Sequence, residues 1–115
     1  MFKKIVLGIA LCGMHLSASA EALNTTSKIK TIFTGPSYGH LVFIEVESRP
    51  EQSRPSGCNA NANFDFVLDL RSDYGKEHYS DILAAYAAQR TVRLISEDNC
   101  NLYSSVPGVS SIWLK

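Results

Sequence analysis

One stretch of this chain repeats its apolar residues with the period of a helix, and it is surrounded by stretches that alternate. Ser80 suits a helix N-cap and Asp81 the positive end of the helix dipole, while Ile82, Leu83 and Tyr86 share one face. Ala84, Ala85, Ala87 and Ala88 are strong helix formers that allow close packing, so the helix is expected to end near Gln89-Arg90. Lys28 to Thr34 reads as a strand, followed by the turn chemistry of Gly35-Pro36-Ser37-Tyr38-Gly39. His40 to Glu47 has Val42, Ile44 and Val46 on one side and Leu41, Phe43 and Glu45 on the other. Both sides are largely apolar, so this strand should be central and form a hairpin with the first. Phe64 to Leu70 is the third strand, with Phe64, Phe66, Leu68 and Leu70 inward and Asp65, Val67 and Asp69 outward. Thr91 to Ser96 and Val109 to Leu114 follow the helix as the fourth and fifth strands. Residues 21–27 read as loose polar chain. Residues 48–57 read as an exposed loop that carries Ser-Arg-Pro twice, at 48–50 and 53–55.

The order β-β-β-α-β-β predicts a mainly β domain with one helix. It is the order of the OB-fold, a small, partly open Greek-key barrel whose helix plugs one end between the third and fourth strands. One helix packed on an antiparallel sheet is the alternative.

The first twenty residues read as a secretory signal peptide. Lys3 and Lys4 supply its positive start, Ile5 to Leu11 its apolar centre, and Ala18-Ser19-Ala20 its cleavage site. The apolar stretch is broken by Gly13 and His15 and falls short of the roughly 20 residues that span a bilayer. Leu11, immediately before Cys12, is too large for bacterial lipidation. Residues 1–20 are therefore leader and residues 21–115 a single OB-like domain. Its 95 residues make one small domain, which buries only about two-thirds of its unfolded surface. Composition excludes disorder, with 45% hydrophobic and 19% charged residues. Without Lys3 and Lys4 the chain has 9 basic and 11 acidic residues, which is no footprint for nucleic acid and no basic patch for a membrane. The expected location is periplasmic or secreted.

Cys58 and Cys100 remain after the leader, an even count in an oxidising compartment, and they allow one intramolecular bond. Closing a loop of about 43 residues stabilises by around 4 kcal/mol in the chain-entropy account. An intermolecular bond or a free thiol is the competing reading; the absence of C-x-x-C leaves redox catalysis little support.

The stretch Tyr79-Ser80-Asp81-Ile82-Leu83-Ala84-Ala85-Tyr86-Ala87-Ala88-Gln89-Arg90-Thr91-Val92-Arg93-Leu94 resembles a join found in small secreted bacterial OB-fold proteins, in which a helix rich in Leu and Ala runs through a short turn into a Val-x-Leu strand. It is similar to that of the cell-binding (B) subunits of subtilase cytotoxin and typhoid toxin. The resemblance extends loosely over residues 58–114. It implies export, an OB-fold, assembly as a homo-oligomer and glycan binding. Cysteine placement differs from those subunits, and none of their sugar-binding residues is matched here.

Few residues are arranged for catalysis. Asp65 and Asp69 share a strand face, but four residues of strand put them roughly 13 Å apart, beyond the about 5–9.5 Å of a glycosidase pair. They read as solvated. His40 and His78 lie in no metal-binding frame; His78 with Asp81 would need a distant third ligand. No G-x-S-x-G elbow and no glycine-rich phosphate loop occurs, so neither an enzyme nor a cofactor is indicated. Binding residues are better placed. OB-folds bind through the loop between the first two strands, the loop between the last two, and the face of the second and third. Those loops carry Tyr38 and Tyr103, whose rings either stack on a ligand or close the barrel end. Asn61, in the alternation Asn59, Asn61, Asn63, offers an amide that both donates and accepts, as sugar hydroxyls require. The expectation is a non-enzymatic exported binding module for a glycan or a protein. The alternative is a small periplasmic structural or stress-related protein with protein partners only.

Overall fold

The computed structural model describes residues 22–55 and 57–115. The leader read over residues 1–20, with its cleavage site and Cys12, lies outside the described residues. Six strands and one helix follow in the order β1 (Asn24–Ser27), β2 (Ile29–Phe33), β3 (Leu41–Val46), β4 (Phe66–Asp69), α1 (Gly75–Ala88), β5 (Val92–Ser96) and β6 (Val109–Leu114). They form two three-stranded sheets, β1-β5-β6 and β2-β3-β4, with every ladder antiparallel. The sheets meet where the chain passes through Lys28 from β1 to β2, and again at one parallel bridge, Val67 to Gly108. Among the described residues no continuous ladder closes them into a barrel.

The β2–β3 hairpin and the central place of β3 follow the alternation. Ile32, Ile44 and Phe66 stand in register across the sheet, as do Val42 and Leu68, and these residues face the main core. Ile82 and Ala85 of α1 and Val92 and Leu94 of β5 close that core from the other side.

The polar segment at 24–27, expected to be loose, is a strand paired with β5 from Asn24–Ile95 to Ser27–Val92. No apolar alternation marks it, because its inward residues are polar and satisfied. The buried Thr25 hydroxyl donates to the Ser48 carbonyl at 2.8 Å, and the buried Ser27 hydroxyl donates to the Lys28 carbonyl and accepts from the Ser48 N–H.

The helix begins at Gly75, before the expected Ser80 cap, and Tyr74 precedes it with no side-chain cap. Its inward face is Gly75, Tyr79, Ile82 and Ala85, whereas Leu83 and Tyr86 are 42% and 39% exposed. The expected stripe of Ile82, Leu83 and Tyr86 was therefore rotated, with Ile82 alone at its edge correct. The tight approach of the first turn to β4 sets this rotation. A Cβ at position 75 would collide with the Asp69 carbonyl and meet Ser72 Oγ at 2.9 Å, so the contact requires glycine.

Candidate functional site

The β2-β3-β4 sheet is apolar on both faces. On the face away from the main core, Phe33, Phe43 and Val67 stand in register in one row. Two connections fold over that row. Between β2 and β3, Pro36–Tyr38 makes a 3-10 turn, with Tyr38 N–H donating to the Gly35 carbonyl at 3.0 Å. The Tyr38 ring then meets Phe33 at 5.5 Å and Phe43 at 5.2 Å between centroids, both edge-on. Between β5 and β6, Tyr103 pairs with Val106 and sets its ring edge-on to Phe43 at 4.9 Å. Tyr38 and Tyr103 thereby come within 6.1 Å of each other.

The segment before β4 completes the cluster. Asn61 Oδ1 accepts the backbone N–H groups of Asn63 and Phe64, each at 2.9 Å, which turns the chain and lays the Phe64 ring flat against Phe33 at 5.7 Å. Asn61 Nδ2 donates to Ser105 Oγ at 2.9 Å, and Asn59 N–H donates to the Ser104 carbonyl at 2.8 Å. The Cys58–Cys100 disulfide, its Cα atoms 5.6 Å apart, ties the same two segments together. The result is a cavity of about 130 Å³ lined by Phe33, Tyr38, Phe43, Phe64, Tyr103, Asn61 and Asn63.

All three residues expected to bind, Tyr38, Tyr103 and Asn61, thus lie on one cavity. Their situations differ. Tyr38 is 37% exposed and Tyr103 half-buried, so both stand at the rim; Phe43, 3% exposed, is the ring that closes this end. Asn61 has its side-chain carbonyl used twice and its amide once within the protein, which leaves one Nδ2 hydrogen without a partner among the described residues. Asn63 is exposed at the mouth. Sequence reasoning missed Phe33, Phe43 and Phe64 as site residues. The available signal was β3 itself, apolar on both faces, which requires something to cover each.

Asp65, read as solvated, is instead 2% exposed. It precedes β4, where its Oδ2 accepts the Val46 N–H at 3.0 Å and its Oδ1 pairs with Arg49 Nε at 3.1 Å. Burial pushes its carboxyl above the ordinary value, against the opposing pull of the Val46 N–H, Arg49 and Arg54. Arg54 Nη2 donates to the carbonyls of Asn61 and Phe64 at 3.0 and 2.8 Å, and burial lowers the pKa of its guanidinium. Val67, also expected to face outward, is buried against Phe43 and Val106. Asp69 takes the Arg71 N–H and pairs with its guanidinium, and His78 stacks on Tyr74 at 6.2 Å. Among the described residues no three His, Cys, Asp or Glu side chains gather as a metal site requires, and no helix is long and apolar enough to cross a membrane.

Comparison with protein-family models, with curated proteins and with solved structures finds no match for the chain.

Proposed function

We propose that this chain is an exported, non-enzymatic binding module of the OB type that takes a glycan at the aromatic cavity. The observation that carries the reading is the convergence of five rings and two Asn side chains, from β2, β3, the connection between them, the segment before β4 and the β5–β6 connection, on one small cavity. Ring faces and edges stack on the apolar C–H faces of a sugar, while the Asn amides serve its hydroxyls. A cavity of this volume accepts one ring or an acyl substituent, not a whole oligosaccharide; an apolar cavity of about 150 Å³ holds a benzene.

The strand path supports the OB reading. Counted as one strand bent at Lys28, β1 and β2 place a half in each sheet, leaving five strands with α1 between the third and fourth. The parallel bridge at Val67–Gly108 joins the third of these to the fifth. A leader at 1–20 and the bonded Cys58–Cys100 pair agree with delivery to an oxidising compartment, periplasmic or secreted. The resemblance to toxin B subunits points the same way.

A glycan array probed with the purified mature protein tests this reading. Binding to defined sugars that Tyr103→Ala removes while the protein still folds cooperatively is the expected result. A silent array with a co-purifying protein overturns it in favour of a module for protein partners, for which Leu83, Tyr86, Trp113 and Leu114 offer exposed apolar surface.

A further inference from the structure

The twice-used Ser-Arg-Pro of the loop after β3 has a single destination in the fold. Arg49 and Arg54 each precede a proline, which holds their backbones toward extended conformations. Both side chains line one open cavity of about 500 Å³, together with Gln52, Ser53, Cys58 and Asp65. That volume is within the range of about 300–1,000 Å³ typical of small-molecule sites.

The charges on the lining of this cavity do not balance, with Glu51 beside Arg49 just outside it. Asp65 is the one acid on its lining, and its Oδ2 is taken by the Val46 N–H. Arg49 meets Asp65 through Nε at 3.1 Å, and its two terminal nitrogens donate no hydrogen bond among the described residues. Arg54 uses Nη2 on two carbonyls, and its Nη1 is buried with no hydrogen-bond partner among the described residues. A buried guanidinium N–H without an acceptor is costly and calls for an explanation. Two guanidinium groups against one carboxylate leave one positive charge over, in a domain whose net charge is negative.

We propose that this cavity is a binding site for a carboxylate-bearing small ligand. The planar fork of Arg49 matches a carboxylate, which accepts from both terminal nitrogens at once. The carboxylate also supplies the missing counter-charge for Arg54. A single surplus charge favours a monoanion over phosphate, which carries about −1.5 to −2 at neutral pH. Asn61 lines both this cavity and the aromatic one, so the two sites are neighbours, but the inference stands without the sugar reading.

Nuclear magnetic resonance titration of the nitrogen-15-labelled mature protein tests it, at constant ionic strength, with acetate, glucuronate, glucose and inorganic phosphate. Acetate and glucuronate are expected to give saturable shifts of the Arg49 and Arg54 Nε–Hε signals and the Cys58 amide. Glucose should move none of these, and phosphate should bind about tenfold more weakly than acetate, the equivalent of about 1.4 kcal/mol. Arg49→Lys keeps the charge and the Asp65 partner but loses the fork, and should weaken acetate about tenfold. Arg49→Gln/Asp65→Asn removes the pair together, keeps the cavity neutralised on that side, and should abolish the shifts. Shifts that do not saturate, phosphate binding as tight as acetate, or unchanged affinity in Arg49→Lys would overturn the proposal. The wild-type titration decides the matter alone if a variant fails to fold.

Discussion

Arg49 Nε lies 3.1 Å from Asp65 Oδ1, and the partners are unequally buried, with side chains 39% and 3% exposed. The carboxylate holds the end of β3 through the Val46 N–H and the following loop through Arg49. Arg49→Ala leaves that carboxylate buried and one partner short. It is expected to cost about 1–3 kcal/mol in urea denaturation. Combining it with Asp65→Asn should cost less than the sum of the two single changes. A loss in Arg49→Ala under about 0.5 kcal/mol, the level of an ordinary surface change, would mean the pair holds nothing.

Asp65 also sets a pH dependence. Burial raises its carboxyl above the ordinary 3.8, with Glu45 adding to the rise and Arg49 and Arg54 opposing it. The folded protein therefore keeps this proton to higher pH than the unfolded chain does. Its contribution to stability is largest below the unfolded value of about 3.9 and is lost as pH rises through the folded value. The stability of the wild type minus that of Asp65→Asn should fall as pH increases across that window. Denaturation at a series of acidic pH values checks the sign; a difference that grows with pH refutes it.

The disulfide joins residues separated by 42 positions and holds together the two segments that frame the aromatic cavity. The chain-entropy account gives it about 4 kcal/mol. Reduction should lower the melting temperature by many degrees, since each kcal/mol moves a domain of this size by about 4–8 °C. Intact mass and thiol labelling of protein from the periplasm should show no free thiol, and two free thiols would contradict the bond.

The helix makes its own test. Ile82 is fully buried whereas Leu83, its neighbour, is 42% exposed. Ile82→Ala should cost about 2–5 kcal/mol and Leu83→Ala under about 1 kcal/mol. Equal losses in thermal or urea melts would mean the helix is rotated from the face described. Gly75→Ala should destabilise despite better helix propensity, because its methyl meets the Asp69 carbonyl.

At the aromatic cavity, stability and binding should separate by ring. Phe43→Ala removes a ring that is 3% exposed and touches Phe33, Tyr38, Phe64 and Tyr103, so a loss of about 3–5 kcal/mol is expected. Tyr38→Ala removes a rim ring that is 37% exposed and should cost less, about 1–2 kcal/mol, within the ordinary range for a partly exposed side chain. Melts of the two variants give the answer before any ligand is identified; a Tyr38 loss equal to that of Phe43 would make Tyr38 part of the core rather than a binding surface.

Period and residue type in the sequence determined the β2–β3 hairpin, the central position of β3, the single helix between strands, β5 and β6; for Cys58 and Cys100 the sequence allowed one intramolecular pair, and the fold brings them together. Apolar alternation is a local property, and these elements bury apolar faces. Tertiary structure alone decided the rest. Thr25, Ser27 and Asp65 are polar residues inside the fold, and what permits their burial is Ser48, Val46 and Arg49, partners distant in the chain. The helix face was set by a backbone contact at Gly75, not by the apolarity of Leu83 and Tyr86. Tyr38, Tyr103 and Asn61 could each be named from residue type and loop position. Their meeting on one cavity with Phe33, Phe43 and Phe64 depends on strand register and a disulfide, which bring together segments that no sequence window contains.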